Sequence, residues 1–132
     1  MSGELQWLTW TVILTGVLWI PYILDRIVVR GLMGAMANPS PADRPQSPWA
    51  QRLQKAHYNA VENLVIFATL VLTLNVMHHS TESTVLACAV YFWARLAHAL
   101  IYWAGIPVLR TLSFAVGFLA QAALVLAVFG KL

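Results

Sequence analysis

The residues best equipped for chemistry in this chain lie in one run, Arg52-Leu-Gln-Lys-Ala-His-Tyr-Asn-Ala-Val-Glu-Asn63, which leads straight into the apolar segment from Leu64 to Val76. Lys55, Asn59 and Glu62 follow a 4-then-3 spacing, which puts an ammonium, an amide and a carboxylate on one helical face. A carboxylate inside a membrane span is costly and marks a functional site with a partner close by. A second polar stripe runs through the third apolar segment. Thr84, Cys88, Tyr91, Arg95, His98 and Tyr102 fall within an arc of roughly 80° on a helix. Arg95 stands near mid-segment, so this face must look at protein or at a water-filled cavity.

The two stripes match in depth. Residues at equal depth in an antiparallel pair have numbers that add to a constant, as they do for Glu62 with Arg95, Asn59 with His98 and Lys55 with Tyr102. The expectation is an intramembrane ion pair between Glu62 and Arg95, within one subunit or across two. Asn59, His98 and Tyr102 would line a polar cleft on its cytoplasmic side. Stripes of this kind serve as helix–helix contacts, as ligand sites or as transport pathways. The excess of cation at the mouth, from Arg30, Arg52, Lys55 and Arg110, favours a site for an anionic ligand, because a structural ion pair needs one cation per anion.

The elements that must position these groups follow from composition. The chain has 132 residues, 60% hydrophobic and 10% charged. A soluble domain carries about a quarter charged residues, so the reading is a single all-α integral membrane domain over residues 1–132. Four segments are long enough to cross a bilayer, about 5–28, 53–77, 84–104 and 108–128. A loop over about 31–51 separates the first two, and its stretch from Ala37 to Trp49 holds four of the six prolines. Pro21 should kink the first span, and Gly105-Ile106-Pro107 is a connection tight enough to force antiparallel neighbours.

Charge placement sets the orientation. With both termini on the non-cytoplasmic side, Arg26, Arg30, Arg44, Arg52, Lys55 and Arg110 all fall on the other, opposed only by Lys131. The formal charge of +3 is too small to point to nucleic acid. Cys88 is the single cysteine and reads as a packing residue. His78 and His79 are adjacent and lack a third ligand, so they read as turn residues and no metal is expected. No Lys or Arg precedes the first apolar segment, so that segment reads as a retained membrane helix.

The run from Lys55 to Asn63, followed by an aliphatic stretch with Phe67, resembles the signature of the MAPEG family, the membrane-associated proteins of eicosanoid and glutathione metabolism. Arg95-Leu-Ala-His98-Ala-Leu-Ile-Tyr102 is similar to that family's second motif, and Ala37-Asn38-Pro39 to its first loop. The resemblance spans nearly the whole chain. It implies a four-helix bundle assembling as a trimer, glutathione held as co-substrate between subunits near the cytoplasmic side, and a bacterial inner-membrane protein similar to microsomal glutathione transferases.

By resemblance, Arg30, Arg52, Lys55, Asn59, Glu62, His98 and Tyr102 fall at or near ligand-contacting positions. Arg110 corresponds to the arginine that holds the ligand sulfur as thiolate, the nucleophilic form, and Thr111 or Ser113 could add a hydrogen bond. The activity implied is thiol transfer to apolar electrophiles or reduction of lipid hydroperoxides. The alternative is a non-catalytic lipid-binding or scaffold protein on the same fold, a kind of member the family also contains. Lys55 replaces the arginine usual in the family, and Phe114 stands where some of its enzymes carry tyrosine. A small four-helix exporter is disfavoured, because the first span carries no charge before Asp25.

Overall fold

The computed structural model describes all 132 residues and is built of helices: α1 (Gly3–Val17), α2 (Trp19–Met36), α3 (Pro48–Val76), α4 (Glu82–Ala104) and α5 (Pro107–Val128). Four helical stretches are long and apolar enough to cross a membrane, the first of them being α1 and α2 together. Their junction at Leu18 has a local cause. Pro21 has no N–H to bond the carbonyl of Val17, and its ring crowds that turn. A second break falls at Gly31, whose φ of 74° and ψ of 164° lie outside the helical region. The apolar span therefore ends at Arg30, and the residues up to Met36 form a redirected turn.

Each later helix starts and stops for a chemical reason. Pro48 opens α3 in the first turn, where a missing N–H breaks no helical bond. The capping partner is remote: the Asp25 carboxylate accepts the Ser47 N–H (3.0 Å), the Ser47 hydroxyl and the Gln46 amide (3.3 Å). Gln46 also donates to the Tyr22 carbonyl at 2.6 Å, so the end of the Pro-rich loop is fixed to α2. Helix α3 begins at Pro48 rather than near Leu53, which puts Arg52 and Lys55 inside its first two turns. A reciprocal Thr81–Thr84 capping box starts α4. Gly105, at φ 81°, ends it by bonding the Ile101 and Tyr102 carbonyls, and Pro107 then opens α5.

Helix α3 runs through the middle of the bundle, touching α1, α2, α4 and α5, while α4 packs along α5 and also meets α1. The seam of α3 is Leu53, Ala56, Ala60, Phe67, Val71 and Leu74, all buried. Small side chains let the backbones approach, including Ala94 and Ala99 on α4 and Gly117, Ala120 and Ala127 on α5. Phe67 stacks on Tyr91 with centroids 3.9 Å apart, and Cys88 lies in the same fully buried cluster. Only 28 of 132 residues are buried, so most apolar surface faces outward, as expected where lipid or other copies replace water.

Candidate functional site

The cationic candidates converge where the first turns of α3 meet the α4–α5 connection. Arg52, Lys55, Tyr102, Gly105, Ile106, Pro107 and Arg110 line a cavity of about 200 Å³. Arg110 holds its guanidinium 4.5 Å from the centroid of the Tyr102 ring, a cation–π contact that steers the charge toward the cavity. The Nε of Arg52 donates to the Trp103 carbonyl at 3.1 Å, so one cation closes the negative end of α4. Gly105 serves this twice. Its left-handed backbone suits glycine, and a Cβ there would lie 3.1 Å from the Arg52 Nε. Three cations line the cavity with no carboxylate among them, so its charge is complementary to an anion.

Deeper in the bundle the polar groups form a ladder. His98 meets Tyr102 edge-on with centroids 5.6 Å apart, and lies 6.2 Å from the Phe114 ring. Arg95, 4% exposed, donates to Asn59 Oδ1 at 2.6 Å and lies 6.0 Å from the Phe114 centroid. Asn63 bonds back to the Asn59 carbonyl (2.9 Å), and Gln121 of α5 to the Asn63 carbonyl (3.1 Å). Tyr91 Oη, Arg95 Nε and His98 Nδ1 are buried without a partner in the chain.

The expected Glu62–Arg95 ion pair does not form within the chain, whose single ion pair is Arg30–Asp43. Equal depth is not equal azimuth. At 3.6 residues per turn, Asn59 lies roughly 85° round α3 from the centre of its buried seam and Glu62 roughly 145°. The amide thus reaches Arg95, while Glu62 is exposed on the outer face.

Arg30 also lies apart from Arg110. Its Nη1 is 3.5 Å from Asp43 and its Nε donates to the Arg44 carbonyl at 2.9 Å, beside an open groove of about 610 Å³ that Arg26, Gln54 and Tyr58 also line. Thr111 and Ser113 bond back to the carbonyls of Pro107 (3.3 Å) and Arg110 (2.8 Å) in their own helix. One chain therefore gathers Arg52, Lys55, Tyr102 and Arg110 in a single cavity, with His98, Asn59 and Arg95 below it. Arg30 and Glu62 face elsewhere.

Two buried carboxylates escaped the sequence reading. Asp25, already described, ties the loop to α2 and α3. Glu4 accepts the hydroxyls of Ser80 (2.8 and 3.0 Å) and Thr84. The one available signal was the position of each acid at the edge of an apolar segment, which does not reveal a partner more than twenty residues away. Tyr22 and His57, hydrogen-bonded at 2.7 Å between α2 and α3, were likewise invisible as a pair.

A helical bundle with four helices long and apolar enough to span a bilayer fits an integral membrane protein, and its basic cavity lies at one end of the bundle. Residues 5–130 match the family model described as MAPEG family, and the chain belongs to that family. No curated protein and no solved structure matches the chain.

Proposed function

We propose that this protein is a membrane-bound glutathione (thiol) transferase or peroxidase acting on apolar electrophiles or lipid hydroperoxides. The observation that carries the reading is the cavity of Arg52, Lys55, Tyr102 and Arg110, with three cations and no acid, in a chain of the MAPEG family. Glutathione brings two carboxylates, one ammonium and a thiol. Arg52 and Lys55 neutralise carboxylate, and Arg110, oriented by Tyr102, holds the sulfur as thiolate, since a neighbouring cation favours the charged form. The thiolate then attacks an electrophilic carbon arriving from the lipid along α5, forming a C–S bond as the leaving group departs with the bonding pair, or as an activated double bond opens and takes up a proton. In the peroxidase variant it attacks the distal hydroperoxide oxygen, breaking the O–O bond and releasing the lipid alcohol, and a second thiol then attacks the resulting sulfenic acid, giving the disulfide and water.

In this reading the site is completed by a neighbouring copy. Glu62, exposed on the outer face of α3, supplies the carboxylate for the ligand ammonium, and Arg30 reaches the remote carboxylate by exchanging Asp43 for it. The assembly proposed is a trimer in a bacterial inner membrane, with the basic mouth cytoplasmic and both termini on the opposite side.

The test is the ultraviolet thiolate difference spectrum on adding glutathione to purified protein. Wild type develops the band at neutral pH; Arg110→Ala binds the ligand without it. A band of full size in Arg110→Ala would overturn the assignment. The second reading, a non-catalytic lipid-binding or scaffold protein, is favoured by Phe114 packing over His98 and Arg95 where a hydroxyl could otherwise reach the ligand. Thiol binding with no turnover of any electrophile or hydroperoxide would select it.

A further inference from the structure

The end of the bundle opposite the basic mouth carries a second pocket of reversed character. Ser2, Glu4, Leu74, Asn75, His78, His79 and Ser80 line a cavity of about 240 Å³, built where α1 starts, α3 ends and α4 starts. Three of the bundle's apolar spans begin or end there. Its floor is Glu4, 2% exposed, beside the first turn of α4, whose N-terminal N–H groups favour an ionised carboxylate. No cation of the chain lies within ion-pair distance of it, since Arg30–Asp43 is the only such pair.

A buried carboxylate without a cation is expensive unless a charged partner is supplied. The side-chain donors to Glu4 are neutral hydroxyls: Oε1 accepts from Thr84 and Ser80, and Oε2 from Ser80. Two carboxylate oxygens offer about four acceptor sites, so Oε2 retains room for an N–H donor. At the rim, Asn75 and His78 are exposed side chains that line the pocket. His79 bonds the Leu132 carbonyl (3.1 Å) through Nε2. His78 is held at φ 54° by the bonds of the α3 end, with the His79 N–H reaching the Leu74 carbonyl.

We propose that this pocket is a phospholipid site taking the primary-ammonium head group of a zwitterionic lipid, with the ammonium on Glu4 Oε2 and the phosphate against the N–H groups of Asn75 and His78. Acidic floor and N–H rim match the dipole of that head group. The pocket is too small for a drug-sized ligand, which needs about 300 Å³ or more, and suits a few heavy atoms whose acyl chains stay in the bilayer. A quaternary ammonium has no N–H to give Oε2, and an anionic head group brings no cation.

The test uses the full chain in detergent, equilibrated with equal amounts of phosphatidylethanolamine, phosphatidylcholine and phosphatidylglycerol, with bound lipid counted by native mass spectrometry. Phosphatidylethanolamine should be retained over both others by about tenfold or more, the worth of one charge-assisted hydrogen bond. Free phosphoethanolamine should displace it. Glu4→Gln keeps an acceptor for Ser80 and Thr84 and should erase the preference; His78→Asn, which tolerates the left-handed backbone, should weaken retention of every phospholipid at this site. Equal retention of phosphatidylcholine by wild type, or an undiminished preference in Glu4→Gln, overturns the proposal. The wild-type comparison decides the matter even if Glu4→Gln does not fold.

Discussion

Arg95 is the residue on which the polar interior turns. It is a guanidinium in mid-bundle with one neutral acceptor, Asn59 Oδ1, at 2.6 Å. Asn59→Ala would strand it and should cost about 1.5–3 kcal/mol, the range for a hydrogen bond to a charged group. Asn59→Asp retains an acceptor and should recover most of that loss. Thermal denaturation of both variants in one detergent measures the difference, and equal melting temperatures would remove Asn59 from this role. Arg110 differs in that its contact is a ring face and its charge borders a cavity. Tyr102→Leu should therefore leave the fold in place while weakening the thiolate band, because the guanidinium loses its steer; an unchanged band would show that Tyr102 does not orient it.

At the scale of elements, the connections hold the site together. Gly105 ends α4 in a conformation that costs other residues about 1–2 kcal/mol, and its missing Cβ leaves room for Arg52. Gly105→Ala should lower stability by that amount and also reduce thiol affinity by moving Arg52 off the Trp103 carbonyl. In an Arg52→Ala background the affinity part of the effect should vanish, which a double-mutant cycle reads directly. The Pro-rich loop is anchored by Asp25 through Gln46 and Ser47. Asp25→Ala should cost about 1–2 kcal/mol, as loss of a helix cap does, and should expose the loop to limited proteolysis between Ser40 and Pro45. A loop as resistant as in wild type would show that the prolines alone hold it.

For the molecule as a whole, the outer face of α3 carries one charge that nothing in the chain pairs. Glu62 is exposed on α3 among Tyr58, Val61, Val65 and Ile66, a poor surface to offer lipid. If copies meet there, native mass spectrometry from gentle detergent should give three chains, and Glu62→Ala should lower both the trimer fraction and glutathione affinity. A monomer with full thiol binding would sink that arrangement. The two ends of the bundle are electrically opposite, a basic cavity at one and the Glu4 pocket at the other. One chain therefore presents cationic side chains at one end of the bundle and a buried carboxylate at the other.

The sequence alone determined the helical membrane class, because apolar run length and helical period are local properties of the chain. It also placed Arg52, Lys55, Tyr102 and Arg110 at one end, since antiparallel helices joined by short turns fix depth. Azimuth was beyond it. Which face of α3 meets α4 depends on the packing of Ala56, Ala60 and Phe67 against small residues of neighbouring helices, and that packing gave Arg95 to Asn59 and turned Glu62 outward. The same holds for Asp25 and Glu4, whose partners come from distant segments: only the closed bundle brings a carboxylate at the edge of the first span to a loop or turn far along the chain.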